Sequence, residues 1–395
     1  MALTDGAPRI VARANRMPSW TSKFDAHVEV RPPLDEERLA EVPAKRGVLG
    51  LFASGGEPIA LLTAADLRAK LRSRLAERGE DERRKAADLR QITRSVCWTL
   101  ADGHFETDLR YFELARRIWS DEYEGMLDWK PAWFVHADTA GRLPTLTARR
   151  AALEGPGEHL GPFPSGRAAR RFIEALHDTF DLCREPGLLR QAPHARPCPY
   201  GQMGRCCQVC DGTVPMAVYR ERFLRAVEYA LGRRPEEKDR LLREMHTAAD
   251  SLAFEEAGRM KARLARLSEL EDADFAHVRP LTRFRFVLVQ PSGSRRKARP
   301  FLVDRGRVAA RADLDWPLQE AQVRDLLAKM HRFVERGGPV GPAERWRVGL
   351  VAKYLFSGPR RGGVALHWRP ELAAEELAEA VTVGRDDLGL SDRVG

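Results

Sequence analysis

The chain has 395 residues, 43% of them hydrophobic, which is enough for ordinary cores and for about two or three domains. No apolar run is long enough to cross a bilayer, and the start, Met1-Ala2-Leu3-Thr4, does not read as a signal peptide. A reducing cytoplasm is therefore the expected compartment, with no membrane partner. Lys and Arg total 66 against 57 Asp and Glu, a formal net charge of +9 that suits a polyanion such as nucleic acid; an arginine-rich composition would produce the same balance.

Residues 1–43 are polar and weakly periodic and read as a lead-in. Gly47-Val48-Leu49-Gly50-Leu51-Phe52 predicts a buried strand, Ser54-Gly55-Gly56-Glu57 a turn, and Ile59-Ala60-Leu61-Leu62 the partner strand. Asp66 is placed to cap a helix carrying Leu67, Leu71 and Leu75 on one face. A charged patch over 77–90 leads to a strand at 96–100. A helix from about Phe105 follows, then strands near 132–135 and 143–146. Gly161-Pro162-Phe163-Pro164-Ser165 is a cluster of breakers, expected to close a small mixed α/β domain over 44–166.

A helical, cysteine-rich segment is expected over 167–234. Five of the six cysteines lie here, as Cys183, Cys198, Cys206, Cys207 and Cys210, in a turn-rich stretch; only Cys97 lies elsewhere. Thiols this clustered point to metal binding: four soft thiolates hold either an iron–sulfur cluster or zinc, with His194 a further possible ligand for zinc. Buried thiols with a disulfide are the bland alternative.

Over 235–273 two apolar stripes, Leu241 to Leu252 and Ala257 to Leu267, predict an antiparallel helical hairpin. Its apolar surface needs cover, from a partner or from the rest of the chain. The region 274–395 reads as a small α+β unit. Phe284, Phe286 and Leu288 alternate, Arg295, Arg296, Lys297 and Arg299 form a basic loop, and a helix spans about 321–334 before an irregular Gly/Pro-rich tail. Asp304, Asp313 and Asp315 are close enough in sequence to suggest a magnesium site, or simply turn caps. The fold class expected for the whole is α/β in the mixed α+β sense.

Several of these blocks, in this order, resemble the N-terminal half of UvrC, the incision subunit of bacterial nucleotide excision repair, and its shorter Cho-like relatives. Arg46-Gly47-Val48 with Asp66-Leu67-Arg68 is similar to the opening of a GIY-YIG nuclease domain. Leu160-Gly161-Pro162-Phe163-Pro164-Ser165 resembles the signature that ends it. Phe180-Asp181-Leu182-Cys183 and the run from Arg196 to Cys210 are similar to the family's cysteine motif. Leu252-Ala253-Phe254-Glu255-Glu256-Ala257 resembles the core of its UVR hairpin.

The resemblance implies a 4Fe–4S cluster on Cys183, Cys198, Cys206 and Cys210, with Cys207 a bystander and Zn2+ the alternative metal. It implies a UvrB-like partner met through Leu252, Phe254 and Ala257. It also implies a degenerate nuclease centre, because the positions of the catalytic tyrosines, arginine and metal-binding glutamate fall on Leu49, Ala60, Lys70 and Tyr111. Leucine and alanine cannot orient water or take a proton. DNA would meet Arg68, Lys70, Arg72 and Arg74 on one helix, and Arg295, Arg296 and Lys297 in the basic loop. In UvrC an RNase H-like nuclease follows, and 274–395 is expected to be a remnant of it. Two other readings remain open: an active endonuclease using Mg2+ with Tyr111, Glu113 or Glu106 and Lys70, and a UVR-type protein adaptor that does not bind DNA.

Overall fold

The computed structural model describes residues 19–31, 36–75, 89–150, 156–358 and 363–391. The chain separates into two compact units, Met1–Asp128 and Trp129–Gly395. Most of the charged patch expected over 77–90 lies outside the described residues.

The first unit is built on one antiparallel sheet. Its strands are β1 (Ala26–Glu29), β2 (Gly47–Phe52), β3 (Pro58–Ala64) and β4 (Ser95–Leu100), in the order β1-β4-β2-β3. The expected lead-in thus contributes an ordered edge strand, as well as a short helix, α1 (Glu36–Glu41). Central β2 is buried along its whole length, because both faces of the sheet are covered. Side chains alternate across a strand, and Leu49 pairs with Leu62 and Trp98 while Leu51 pairs with Ala60 and Val96. These six therefore share one face, where Leu39 of α1 and Leu67, Leu71 and Leu75 of α2 (Leu67–Leu75) complete the core. The opposite face carries Cys97 and Thr99. Arg110 of α3 (His104–Ile118) donates to the Thr99 hydroxyl at 3.0 Å, so α3 covers this second face.

In the second unit, β5 (Trp133–Asp138), β6 (Thr145–Arg150), β7 (Glu158–Phe163) and the two-residue β8 (Arg279–Pro280) form a sheet in the order β6-β5-β7-β8. The breaker cluster at 161–165 is no terminus: it is the end of β7 and the cap of α4 (Gly166–Phe180), whose Ala168 amide donates to the Ser165 hydroxyl at 3.1 Å. The division between the compact units falls after Asp128, and β5 to β7 share their core with the helices that follow as far as Val278. Val135, Leu146 and Leu160 pack with Phe172 and Leu176 of α4, Tyr219 and Phe223 of α5 (Met216–Ala230), Leu241 of α6 (Glu237–Asp250) and Leu267 of α7 (Phe254–Glu269).

A third sheet holds β9 (Arg285–Pro291), β10 (Lys297–Asp304), β11 (Arg307–Ala310), β12 (Leu314–Asp315) and β13 (Val364–His367), in the order β11-β10-β9-β13 with β12 on β10. Val287, Val289 and Leu302 pack under α8 (Glu320–Glu335) and α10 (Ala374–Val383). The tail expected to be irregular is ordered: Gly341 and Pro342 open a further helix, α9 (Pro342–Leu355), which buries Val348, Leu350 and Val351. Every strand pair is antiparallel, an α+β arrangement. No described helix is long and apolar enough to cross a membrane.

Candidate functional site

Helix α4 ends at Asp181 in a left-handed conformation (φ 52°), which turns the chain toward Cys183. Cys198 precedes a short helical turn, Pro199–Gln202, and Cys210 lies in another, Val209–Asp211. Cys206 and Cys210 are buried; Cys183 and Cys198 are half-buried. The Cys183 thiol is pushed up to about 11, chiefly by burial and in smaller part by the neighbouring thiols of Cys206, Cys210 and Cys198. Cys206 is raised by burial and then by Cys198 and Cys210; Cys210 is raised by burial, Asp211 and Cys198. Cys183 thus feels three neighbouring thiols, Cys206 two and Cys210 one. As placed, they do not close into a ligating group, and no cluster able to hold a metal occurs among the described residues. Crowded thiols raise one another only while no cation sits among them, and a bound metal reverses that sign.

Cys207 points elsewhere. It packs into the second unit's core, and its backbone amide donates to the Asp181 carbonyl at 3.0 Å. His194 is exposed.

Two carboxylates at the end of α4 tie this loop to the helices behind it. Asp178 pairs with Arg184 and Arg205 from the cysteine loop, the latter at 2.8 Å, and with Arg266 of α7 at 3.7 Å. Asp181 pairs with Arg222 of α5 at 3.2 Å and with Arg263 of α7. Burial would raise the Asp178 carboxyl, but hydrogen bonds from Arg205 and Arg184 outweigh it and hold the group below its ordinary range. Arg184 also lies over the Tyr200 ring, 5.0 Å from its centre. The sequence holds a trace of this hub in two aspartates three apart at a helix end, but their partners come from 184 to 266.

The helical hairpin α6–α7 buries its inner stripe against its own chain, through Leu241 and Leu267 with Met260 and Leu264 at the margin. Its tip is different. Leu252 is 73% exposed and Phe254 68% exposed, with Ala257 half-buried beside them. Leu252 also holds φ 58°, a conformation that a large side chain adopts only at a cost of about 1–3 kcal/mol. The tip thus presents two large apolar side chains to solvent from a strained backbone.

The expected nuclease positions do not converge. Leu49 and Ala60 face α2 in the first unit's core, whereas α3 bears Tyr111 on the other side of the sheet, its hydroxyl 3.4 Å from the Met126 carbonyl. Lys70 is half-buried on α2. Glu106 is buried with Arg110 at 2.8 Å, and Glu113 pairs with Arg116 at 3.6 Å. Leu49 and Ala60 thus share the face packed by α2, whereas Tyr111 lies on the helix that covers the opposite face.

The expected DNA-binding residues also divide. Arg68 is committed to the chain itself, donating to the Val42 and Ala40 carbonyls at 2.8 Å, and Arg72 pairs with Glu36 at 2.8 Å. Arg74 is half-buried on the same helix. Arg295, Arg296 and Lys297 are exposed between β9 and β10, but Arg299 is held by Asp313 at 2.7 Å. The three aspartates form no cation site. Asp304 is fully buried among Arg285, Arg305 and Arg307, Asp313 takes Arg299 and Ser292, and Asp315 bonds Gln322. Positive side chains already occupy the places a magnesium ion would need.

Comparison with known proteins bears on the same segment. The profile of the UvrC/Cho excinuclease middle domain matches residues 131–229, from β5 through the cysteines to α5. The chain is similar to UvrABC system protein C of Methylococcus capsulatus, 28% identical over 231 residues, which is 58% of this chain and 37% of that one. It is 26% identical to the same protein of Moorella thermoacetica over 60% of this chain and 38% of that one, and 30% identical to that of Shigella dysenteriae serotype 1 over 60% and 41%. The alignments thus span about two fifths of the length of these relatives. No solved structure matches significantly.

Proposed function

We propose that this UvrC-like chain serves nucleotide excision repair as a DNA-binding protein that docks a UvrB-type partner, without cutting DNA through its N-terminal sheet. The observation that carries the reading is the match over 131–229, because it spans the loop that holds Cys183, Cys198, Cys206 and Cys210. Four thiolates of this softness suit an iron–sulfur cluster, so Cys183, Cys198, Cys206 and Cys210 would hold a 4Fe–4S group. Such a group supplies a covalent brace across a loop that otherwise has only short helical turns. The residues around it do the rest: Asp178 and Asp181 fix the loop to α5 and α7, and α7 carries the exposed tip at Phe254.

Contact with DNA would rest on Arg295, Arg296 and Lys297, which are exposed on a tight connection, and on Lys70 and Arg74 of α2. The absence of cutting follows from side-chain chemistry, since Leu49 and Ala60 carry no group able to position or deprotonate water. A salt titration in a gel-shift assay tests the reading, using lesion-bearing duplex with Mg2+ present. Phosphate contacts require affinity to fall steeply with ionic strength while the DNA stays intact. Salt-independent binding, or metal-dependent cleavage abolished by Glu113→Ala, would sink it.

A further inference from the structure

At the open end of the helical hairpin, where α6 begins and α7 ends, the second unit encloses a cavity of about 450 Å³. That is ample for one small ligand, since such sites start near 300 Å³. Its floor is apolar, formed by Phe172, Leu231 and Val278, and Tyr229 stands at its wall. Its charged lining is lopsided: Arg234, Lys238, Arg279 and Arg283 against Glu271 alone. Lys238 is already matched by Glu271 at 2.8 Å, and Arg234 by Glu228 at 2.5 Å. Arg279 and Arg283 have no carboxylate partner among the described residues; the only side-chain bond of Arg279 goes to the neighbouring Val278 carbonyl at 2.6 Å.

The positive charge at this rim is also felt by its neighbours. Arg279 is driven below its ordinary range by burial alone, with no carboxylate to offset it. Its field also reaches nearby imidazoles: His277 and His367 are held low first by burial and then by Arg279, with Arg283 acting on His367 as well. Two exposed guanidinium groups at the cavity without a carboxylate partner leave its rim positive, and an anion entering it would balance that charge.

We propose that this cavity binds one unpaired nucleotide of a DNA strand, its phosphate on Arg279 and Arg283 and its base on the apolar floor beside Tyr229. The combination of two free guanidinium groups with an apolar wall is the usual chemistry of single-strand capture. The inference rests on the DNA-binding reading above but places the contact apart from the basic loop at 295–297.

The test is calorimetric titration of the full chain with deoxythymidine monophosphate, with thymidine and inorganic phosphate run in parallel. The nucleotide should bind with one site per chain, at least tenfold more tightly than either fragment. Arg279→Gln with Arg283→Gln should weaken it by at least tenfold while gel-shift affinity for intact duplex persists through the basic loop. Should Arg279→Gln compromise folding, Arg283→Glu alone, at an exposed position, should still weaken the nucleotide by several-fold. Binding unchanged by these substitutions overturns the site. Equal binding of phosphate alone overturns the nucleotide as its ligand, and preferential binding of an acidic peptide reassigns the cavity to a protein partner. Loss of duplex binding in a chain that still takes the nucleotide would count against the broader reading and not against this one.

Discussion

The sheet at the start of the chain and the cysteine loop of the second unit treat their expected functional residues in opposite ways. In the sheet, Leu49 and Ala60 have become core, and Tyr111 lies on the far side of the strands. In the loop, thiols separated by up to 27 positions are gathered into one turn-rich segment, and its neighbouring charges are tied down by Asp178 and Asp181. One region keeps a shape without reactive groups; the other keeps reactive groups on little regular structure.

The comparison is sharpened most by removing one thiol. If the four act as a unit, Cys198→Ser should abolish bound metal and lower the stability of the second unit by several kcal/mol, as loss of a structural centre does. Cys207→Ser should retain the metal and cost only about 1–3 kcal/mol, since it puts a hydroxyl into a core. Metal content and thermal melting of the two variants, side by side, check this. A Cys207 variant that loses its metal while Cys198→Ser keeps it would reverse the ligand assignment.

The brace between loop and hairpin comes next in size. Asp178→Asn leaves Arg184, Arg205 and Arg266 facing one another without a carboxylate. Because Asp178 is 15% exposed, we expect about 2 kcal/mol, below the 3–5 kcal/mol typical of breaking a fully buried pair. Chemical denaturation measures it. A change under half a kcal/mol would mean that the hub is only a surface network.

The same residues set the acid response. His177 is held down to about 4, mainly by burial and then by Arg184, whereas its ordinary value is 6.5. The folded chain therefore takes up a proton there less readily than the unfolded chain, so stability is full above about 6.5 and falls as the pH drops toward 4. Asp178, also depressed, adds a loss at still lower pH. Denaturation midpoints from pH 7.5 to 4 should decline, and His177→Gln should flatten the upper part of that decline.

The smallest effect on stability, and a large one on association, is expected at the hairpin tip. Phe254→Ala should leave the melting temperature nearly unchanged, because the ring is 68% exposed, yet weaken binding of a UvrB-type partner by about 2 kcal/mol, roughly thirtyfold. Equal affinities for the two proteins would remove the tip from the interface.

Much of this was legible in the sequence, but unevenly. The strands at 47–52 and 58–64 and the helices at 67–75 and 254–269 follow from local periodicity, which needs no knowledge of the rest of the chain. The fate of the nuclease positions depended on which face each residue takes once three strands pair, and a linear alignment carries no such information. The pairing of β8 with β7 was hidden for a similar reason, since β8 joins from more than a hundred positions later. Arg279 and Arg283 looked like ordinary basic residues, since only the fold places them beside a cavity with no carboxylate partner of their own. The cysteines were visible because their rarity is itself a signal, although their mutual approach is a property of the folded loop.

Iron and acid-labile sulfide in anaerobically purified protein, with its absorption spectrum, bear most directly on the central contrast. About four irons per chain in a brown sample, lost with Cys198→Ser, is the outcome expected of four thiolate ligands. Colourless protein with zinc or no metal at all would contradict an iron–sulfur brace on these thiols.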